Sequence, residues 1–146
     1  MKLFGFGPHL LIDGHHANPA RLGDPDLLRA ALLELPAALG MTPLMAPLLW
    51  RQGDGAPEDG GLSGVVVVAE SHVALHAFPA RGFLGADVFS CREFDVQKVL
   101  DYLSGHFELG RVETRLINRG KEFPRDAGEV ERLVRGEREY LAARIG

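Results

Sequence analysis

The residues whose types and spacing could do chemistry lie in one stretch, Gly61 to Cys91, GLSGVVVVAESHVALHAFPARGFLGADVFSC. Ser71 stands between Glu70 and His72, Ser63 precedes it, His76 follows it, and the only cysteine of the chain, Cys91, closes the stretch. A serine hydroxyl is a weak nucleophile until a base or a strained peptide activates it. Glu70-Ser71-His72 interrupts two apolar runs where the backbone must reverse, yet it contains none of the residues that turns favour, Gly, Asn, Asp or Pro. The mismatch points to a chemical use of Ser71, attack on the carbonyl of Glu70. An odd number of steps separates Ser71 from His76, so in one regular strand they would face opposite ways, and they meet only if the chain bends between them. The reversal at Glu70-Ser71 is read as that bend.

Other chemistries compete for the same residues. His72 and His76 share a strand face and with Cys91 could imitate a zinc site, but this leaves Glu70 and Ser71 without a role, and no metal is expected. A lone cysteine is ordinarily a buried, inert thiol, and the interest of Cys91 lies in its spacing from Ser71 and His76. His15-His16 point different ways with no third ligand at zinc spacing, and the segment through Pro19 is read as solvated loop. Trp50, near a strand end beside a loop, could line a pocket or pack in the core.

The elements that must position these groups follow from patterning. A short strand covers His9 to Asp13 around Leu10, Leu11 and Ile12. Asp24-Pro25 starts a helix whose stripe is Leu27, Leu28, Ala31, Leu32 and Leu35, with Pro36 kinking or ending it and Gly40 as the stop. Pro43 and Pro47 demote Met41 to Arg51 to an irregular or edge strand. Three strands fill Gly61 to Cys91, and Asp95 caps a second helix with Val96, Val99, Leu100 and Leu103 on its buried side. Arg111 to Asn118 alternates as a half-exposed strand, and from Asp126 a charged helix with a thin apolar face runs to the end, interrupted near Gly136. Consecutive strands with short connections mean an antiparallel sheet, and helices with one stripe each cover one face of it. The expected fold is a single-domain α+β two-layer sandwich over residues 1–146.

With 146 residues the chain is short for an enzyme that encloses a large substrate alone, so a shared interface is plausible. A net charge of -4 and no basic tail argue against a nucleic-acid partner. The longest apolar run is far too short to span a bilayer, a single cysteine cannot form an internal disulfide, and no leader pattern opens the chain, so a cytoplasmic location is expected.

The string GLSGVVVVAESHVALHAFP followed by GADVFSC resembles the prokaryotic S-adenosylmethionine decarboxylases, self-processing pyruvoyl enzymes with the approximate pattern GxSGVxxxxESHxxxHxxPxxGxxxxDxFxC. Gly61, Ser63, Gly64, Val65, Glu70, Ser71, His72, His76, Pro79, Gly82, Asp87, Phe89 and Cys91 match it. The resemblance implies that Ser71 attacks the carbonyl of Glu70 to give an ester, that β-elimination cuts the chain into 1–70 and 71–146, and that Ser71 becomes a pyruvoyl group. It further implies that His76 helps remove the proton in the elimination, that Ser63 assists processing, and that Cys91 returns a proton to the α-carbon after decarboxylation. The pyruvoyl ketone would hold the substrate amine as a Schiff base and act as electron sink, with no metal or dissociable cofactor. The product would be the aminopropyl donor for spermidine synthesis, and the enzyme would be a homodimer of processed chains.

Phe78, Trp50 and Asp87 are candidate substrate contacts. The family's usual Trp and Pro-Glu-aromatic-Gly turn are here Phe78 and Pro79-Ala80-Arg81-Gly82, so an aromatic is kept while a carboxylate is replaced by a nearby cation. The loop before Ser63 adds Asp54, Glu58 and Asp59, which could bind a cation. An alternative substrate is therefore a basic amino acid such as ornithine or arginine. A non-catalytic relative would be free to lose Ser71, His76 and Cys91, which this chain keeps together.

Overall fold

Two capped helices and six strands follow from the patterns above. The structure, a computed structural model, describes residues 6–53, 59–124 and 127–145. Strand β1, Gly7–His15, is longer than its apolar centre suggests, because it is paired on both sides. It ends on His15, and the following segment is no simple loop: Asn18 caps a one-turn helix α1, Pro19–Leu22, by accepting from the backbone N–H of Ala20 and Arg21.

Helix α2, Pro25–Ala38, is capped by the Asp24 carboxylate on the N–H of Asp26 and buries Leu28, Ala31, Leu32 and Leu35. Pro36 does not end it at once. The proline lies in the last turn, where one lost backbone bond is tolerable, and its ring is buried with the stripe. Strand β2, Leu48–Gln52, is an edge strand, preceded by a bridge from Pro43 to Val68. Strands β3, Gly61–Val68, β4, Ser71–Phe78, and β5, Phe83–Phe89, follow. A 3₁₀ turn over Pro79–Arg81, closed by Gly82 at φ 57°, links the last two. Helix α3, Val96–Phe107, is capped by Asp95 on the N–H of Lys98.

Strand β6, Arg111–Arg119, alternates less usefully than its sequence suggests: Val112 packs against the core, whereas Thr114 and Leu116 are exposed. Helix α4, Ala127–Ile145, passes through Gly136 without a break, and its described side chains are exposed. Asp126, Asp54 and Glu58 lie outside the described residues.

The sheet is wholly antiparallel in the order β2-β3-β4-β5-β1-β6. One face carries Leu10, Ile12, Leu62, Val66, Val68, Val73, Leu75, Leu84 and Val88 into a single core against α2 and α3. The α+β sandwich expected from the sequence is the observed fold. On the other face stand Ser63, His72, His76, Phe78, Asp87 and His9.

Candidate active site

The β3–β4 reversal is tighter than the sequence indicates. Val68 pairs with Ser71, so the turn consists of Ala69 and Glu70 alone, and Ser71 and His72 already belong to β4. Two-residue hairpin turns need positive φ, which is why Gly and Asn dominate them. Glu70 adopts φ 68° with a full side chain, a conformation that costs non-glycine residues about 1–3 kcal/mol. Relaxation is opposed from the β3 side, where the N–H of Ala69 bonds the carbonyl of Thr42 at 2.7 Å and the N–H of Leu44 bonds that of Val67 at 2.9 Å. The hydroxyl of Ser71 donates to the carbonyl oxygen of Glu70, placing the nucleophile beside the bond it is expected to attack.

Cys91 follows β5 at the same end of the sheet. Glu70 and Cys91 line one cleft of about 310 Å³ with Thr42, Ser90 and Arg92. Burial pushes the Cys91 thiol above its usual pKa, the carboxylate of Glu70 raises it further by hydrogen bonding and by charge, and Arg92 pulls it partly back. The thiol is thus more firmly protonated at neutral pH than its free counterpart.

Ser63 and His76 form a second group. They are paired residues of β3 and β4, with Ser63 Oγ 2.8 Å from His76 Nδ1 and Ser63 only 2% exposed. They belong to one row across the open face, Trp50, Ser63, His76, Gly85, Asp13 and Glu113, in register order. A cleft of about 490 Å³ lies over His76, Asp13, Asp87, Glu113 and Arg115. The bend expected between Ser71 and His76 is absent, since β4 keeps its register from Ser71 to Phe78. At about 3.3 Å per residue the two are roughly 16 Å apart along the strand, and their side chains leave opposite faces. One chain therefore joins Cys91 to Glu70, whose carbonyl Ser71 contacts, and separately aligns Trp50, Ser63 and His76.

The sequence reading missed a third group. His72 Nε2 and His9 Nε2 lie 2.7 and 2.8 Å from the same oxygen of Asp87, and Arg119 Nη1 lies 3.2 Å from His9 Nδ1. His9 was visible only as the polar end of a strand, and no local pattern links it to residues on β4, β5 and β6. The imagined grouping of His72 and His76 with Cys91 dissolves, because the two histidines have different partners. Phe78 packs beside Phe83 with ring centroids 6.2 Å apart. Asp59, expected to be available to a cation, pairs with Arg81 of the same chain at 3.0 Å.

Comparison with known proteins places this arrangement. The family model described as S-adenosylmethionine decarboxylase matches residues 8–120. The S-adenosylmethionine decarboxylase proenzyme of Pyrococcus abyssi is 32% identical over 117 residues, covering 80% of each chain. That of Acidithiobacillus ferrooxidans is 32% identical over 116 residues, covering 79% of this chain and 83% of the relative. The crystal structure of the adenosylmethionine decarboxylase from Aquifex aeolicus superimposes with a TM-score of 0.67 at 21% identity, covering 80% of this chain and 92% of the other, which shows a shared fold. With a family match across most of its length and relatives above 30% identity, the chain belongs to the S-adenosylmethionine decarboxylase family.

Proposed function

We propose that the chain is the precursor of a pyruvoyl-dependent S-adenosylmethionine decarboxylase that cuts itself between Glu70 and Ser71. The observation that carries this reading is the left-handed Glu70 at a two-residue turn, with the Ser71 hydroxyl on its carbonyl. Ser71 Oγ adds to the carbonyl carbon of Glu70 while the Ser71 nitrogen leaves, converting amide to ester. Loss of the Ser71 α-proton and cleavage of its Cβ–O bond then free the Glu70 carboxylate, and one water exchanges for ammonia to leave a ketone at position 71. Ser71 fits this origin of the group, being the first residue of a strand whose preceding peptide is the strained one.

When formed, the pyruvoyl group supplies an electrophile for the substrate amine and a sink for the electrons released with carbon dioxide. Cys91 suits the return of a proton to the α-carbon because its raised pKa keeps the thiol protonated. The hydroxyl of Ser63 orients His76 through Nδ1, leaving Nε2 as the nitrogen that can exchange a proton.

The separation of His76 from Ser71 supports a homodimer in which the Ser63–His76 pair of a second copy serves Ser71 of the first. Leu48, Trp50 and Val67 add an exposed apolar margin to the open face, with Trp50 50% exposed. Trp50 and Phe78 stand on that face as flat surfaces for the adenine of S-adenosylmethionine. The names of the relatives support this substrate, and the Asp59–Arg81 pair weakens the case for a basic amino acid. The proposed product feeds polyamine synthesis, a cytoplasmic task; among the described residues no helix is long and apolar enough to cross a membrane.

The test is intact mass together with release of carbon dioxide from S-adenosylmethionine, ornithine, arginine and lysine, with Ser71→Ala as blank. Splitting of the 15.9 kDa chain after Glu70 and turnover of S-adenosylmethionine are expected. Turnover that survives in the Ser71→Ala blank sinks the mechanism.

A further inference from the structure

The hydrogen-bonded set His9, His72, Asp87 and Arg119 takes no part in the chemistry above. Two imidazoles and a carboxylate that converge this closely resemble a metal site, since their ligand atoms lie within 4.8 Å of one another. The proton inventory argues otherwise. A guanidinium only donates, so Arg119 Nη1 at 3.2 Å requires His9 Nδ1 to accept, and the ring proton of neutral His9 must be on Nε2, pointed at Asp87. The carboxylate only accepts, so His72 Nε2, 2.7 Å from the same oxygen, is also a donor. Both nitrogens that would face a metal thus carry hydrogen. Binding one through His9 Nε2 would move its proton to Nδ1, against the guanidinium.

We propose instead that Asp87 is a positioning residue for self-cleavage, holding His72 so that β4 begins rigidly at the residue after the scissile bond. The inference rests on the cut placed between Glu70 and Ser71. His72 is bonded to Ser71, and its side chain is tied across to β5 by Asp87, which β1 holds in turn through His9 and β6 through Arg119. Phe89 supports the group from the same face, with ring centroids 5.0 Å from His9 and 5.7 Å from His72, and with the Arg119 guanidinium 4.2 Å from its own centroid. On the other side of the bond, Thr42 fixes Ala69. The left-handed Glu70 is thereby clamped between two anchored neighbours, and its strain cannot leak into either strand. Attack by a hydroxyl on its own preceding carbonyl depends on orientation, and displacement by about 1 Å can cost two orders of magnitude in rate.

The proposal is tested with the full chain made by cell-free synthesis, following intact mass with time. Asp87→Leu, similar in size but without an acceptor, should slow cleavage by at least about tenfold while circular dichroism stays native. Asp87→Asn, whose amide oxygen can still accept from both imidazoles, should restore most of the rate, which a merely electrostatic or destabilising role would not allow. A second measurement needs no change at Asp87: in uncleaved Ser71→Ala protein, nitrogen NMR should show His9 and His72 both protonated on Nε2. Wild-type speed in Asp87→Leu, no rescue by Asp87→Asn, or His72 protonated on Nδ1 would each overturn the proposal. A wild-type chain that never cleaves would instead remove the cut itself, while the NMR spectrum would still test the hydrogen-bond arrangement independently.

Discussion

Ser63 Oγ and His76 Nδ1 lie 2.8 Å apart on paired strands, while Ser71 begins the strand that carries His76 and faces away from it. The processing proposed above is therefore a matter between two copies. Coexpression of a His76→Ala chain with a Ser71→Ala chain should cut the His76→Ala chain, whose intact Ser71 borrows the partner's intact histidine. Expressed alone, neither should cut. Failure of the mixture to yield any fragment would rule out this exchange.

Removing the Ser63 hydroxyl should act on rate more than on folding. Ser63→Ala leaves His76 Nδ1 without its partner, and general acid–base assistance typically contributes about 10²–10⁴-fold. Processing should slow by at least about tenfold, whereas loss of one hydrogen bond should cost only about 1 kcal/mol in a denaturant titration. A large stability loss with normal processing would assign Ser63 to structure alone.

The Cys91 thiol offers a pH test with a defined sign. Burial and the Glu70 carboxylate raise its pKa, so in uncleaved Ser71→Ala protein alkylation should need more alkaline pH than a free thiol. Glu70→Gln removes a negative charge and should shift the alkylation curve to lower pH. Arg92→Gln removes an opposing positive charge and should shift it to higher pH. Coincident curves would show that neither side chain acts on the thiol.

Gly7 is a position where only hydrogen fits. A Cβ there would lie 1.9 Å from the backbone oxygen of Ser90 and 2.9 Å from the Cα of Cys91, so no rotamer relieves it. Gly7→Ala should destabilise the fold by about 1–3 kcal/mol in thermal melts. It should also lower turnover, since β1 can yield only by pressing on the segment that carries Cys91.

The elements were largely legible because caps and stripes are local: Asp24, Asp95 and the Leu28–Leu35 stripe announce their helices without help from elsewhere. The errors arose where a distant neighbour decides. Pro36 stays helical because the core accepts its ring, and β1 extends to His15 because β6 pairs with it. The site was legible as a set of residues and not as a shape. A residue pattern can nominate Ser71 and His76, but only the straight register of β4 shows that one copy cannot bring them together. The partnership of His9 with Asp87 joins residues 78 apart in sequence, beyond the reach of any local signal.

The strand order has a consequence for the severed molecule. Residues before the proposed cut supply β1, β2 and β3, those after it supply β4, β5 and β6, and β1 is inserted between β5 and β6. The two products are interdigitated like the teeth of two combs, joined along three seams, β3–β4, β5–β1 and β1–β6. Either fragment made alone would expose bare strand edges, an invitation to aggregate. Synthesis as one polypeptide thus works as an assembly jig: it delivers the halves in equal number and correct register, and the bond that did so can then be given up without the molecule coming apart.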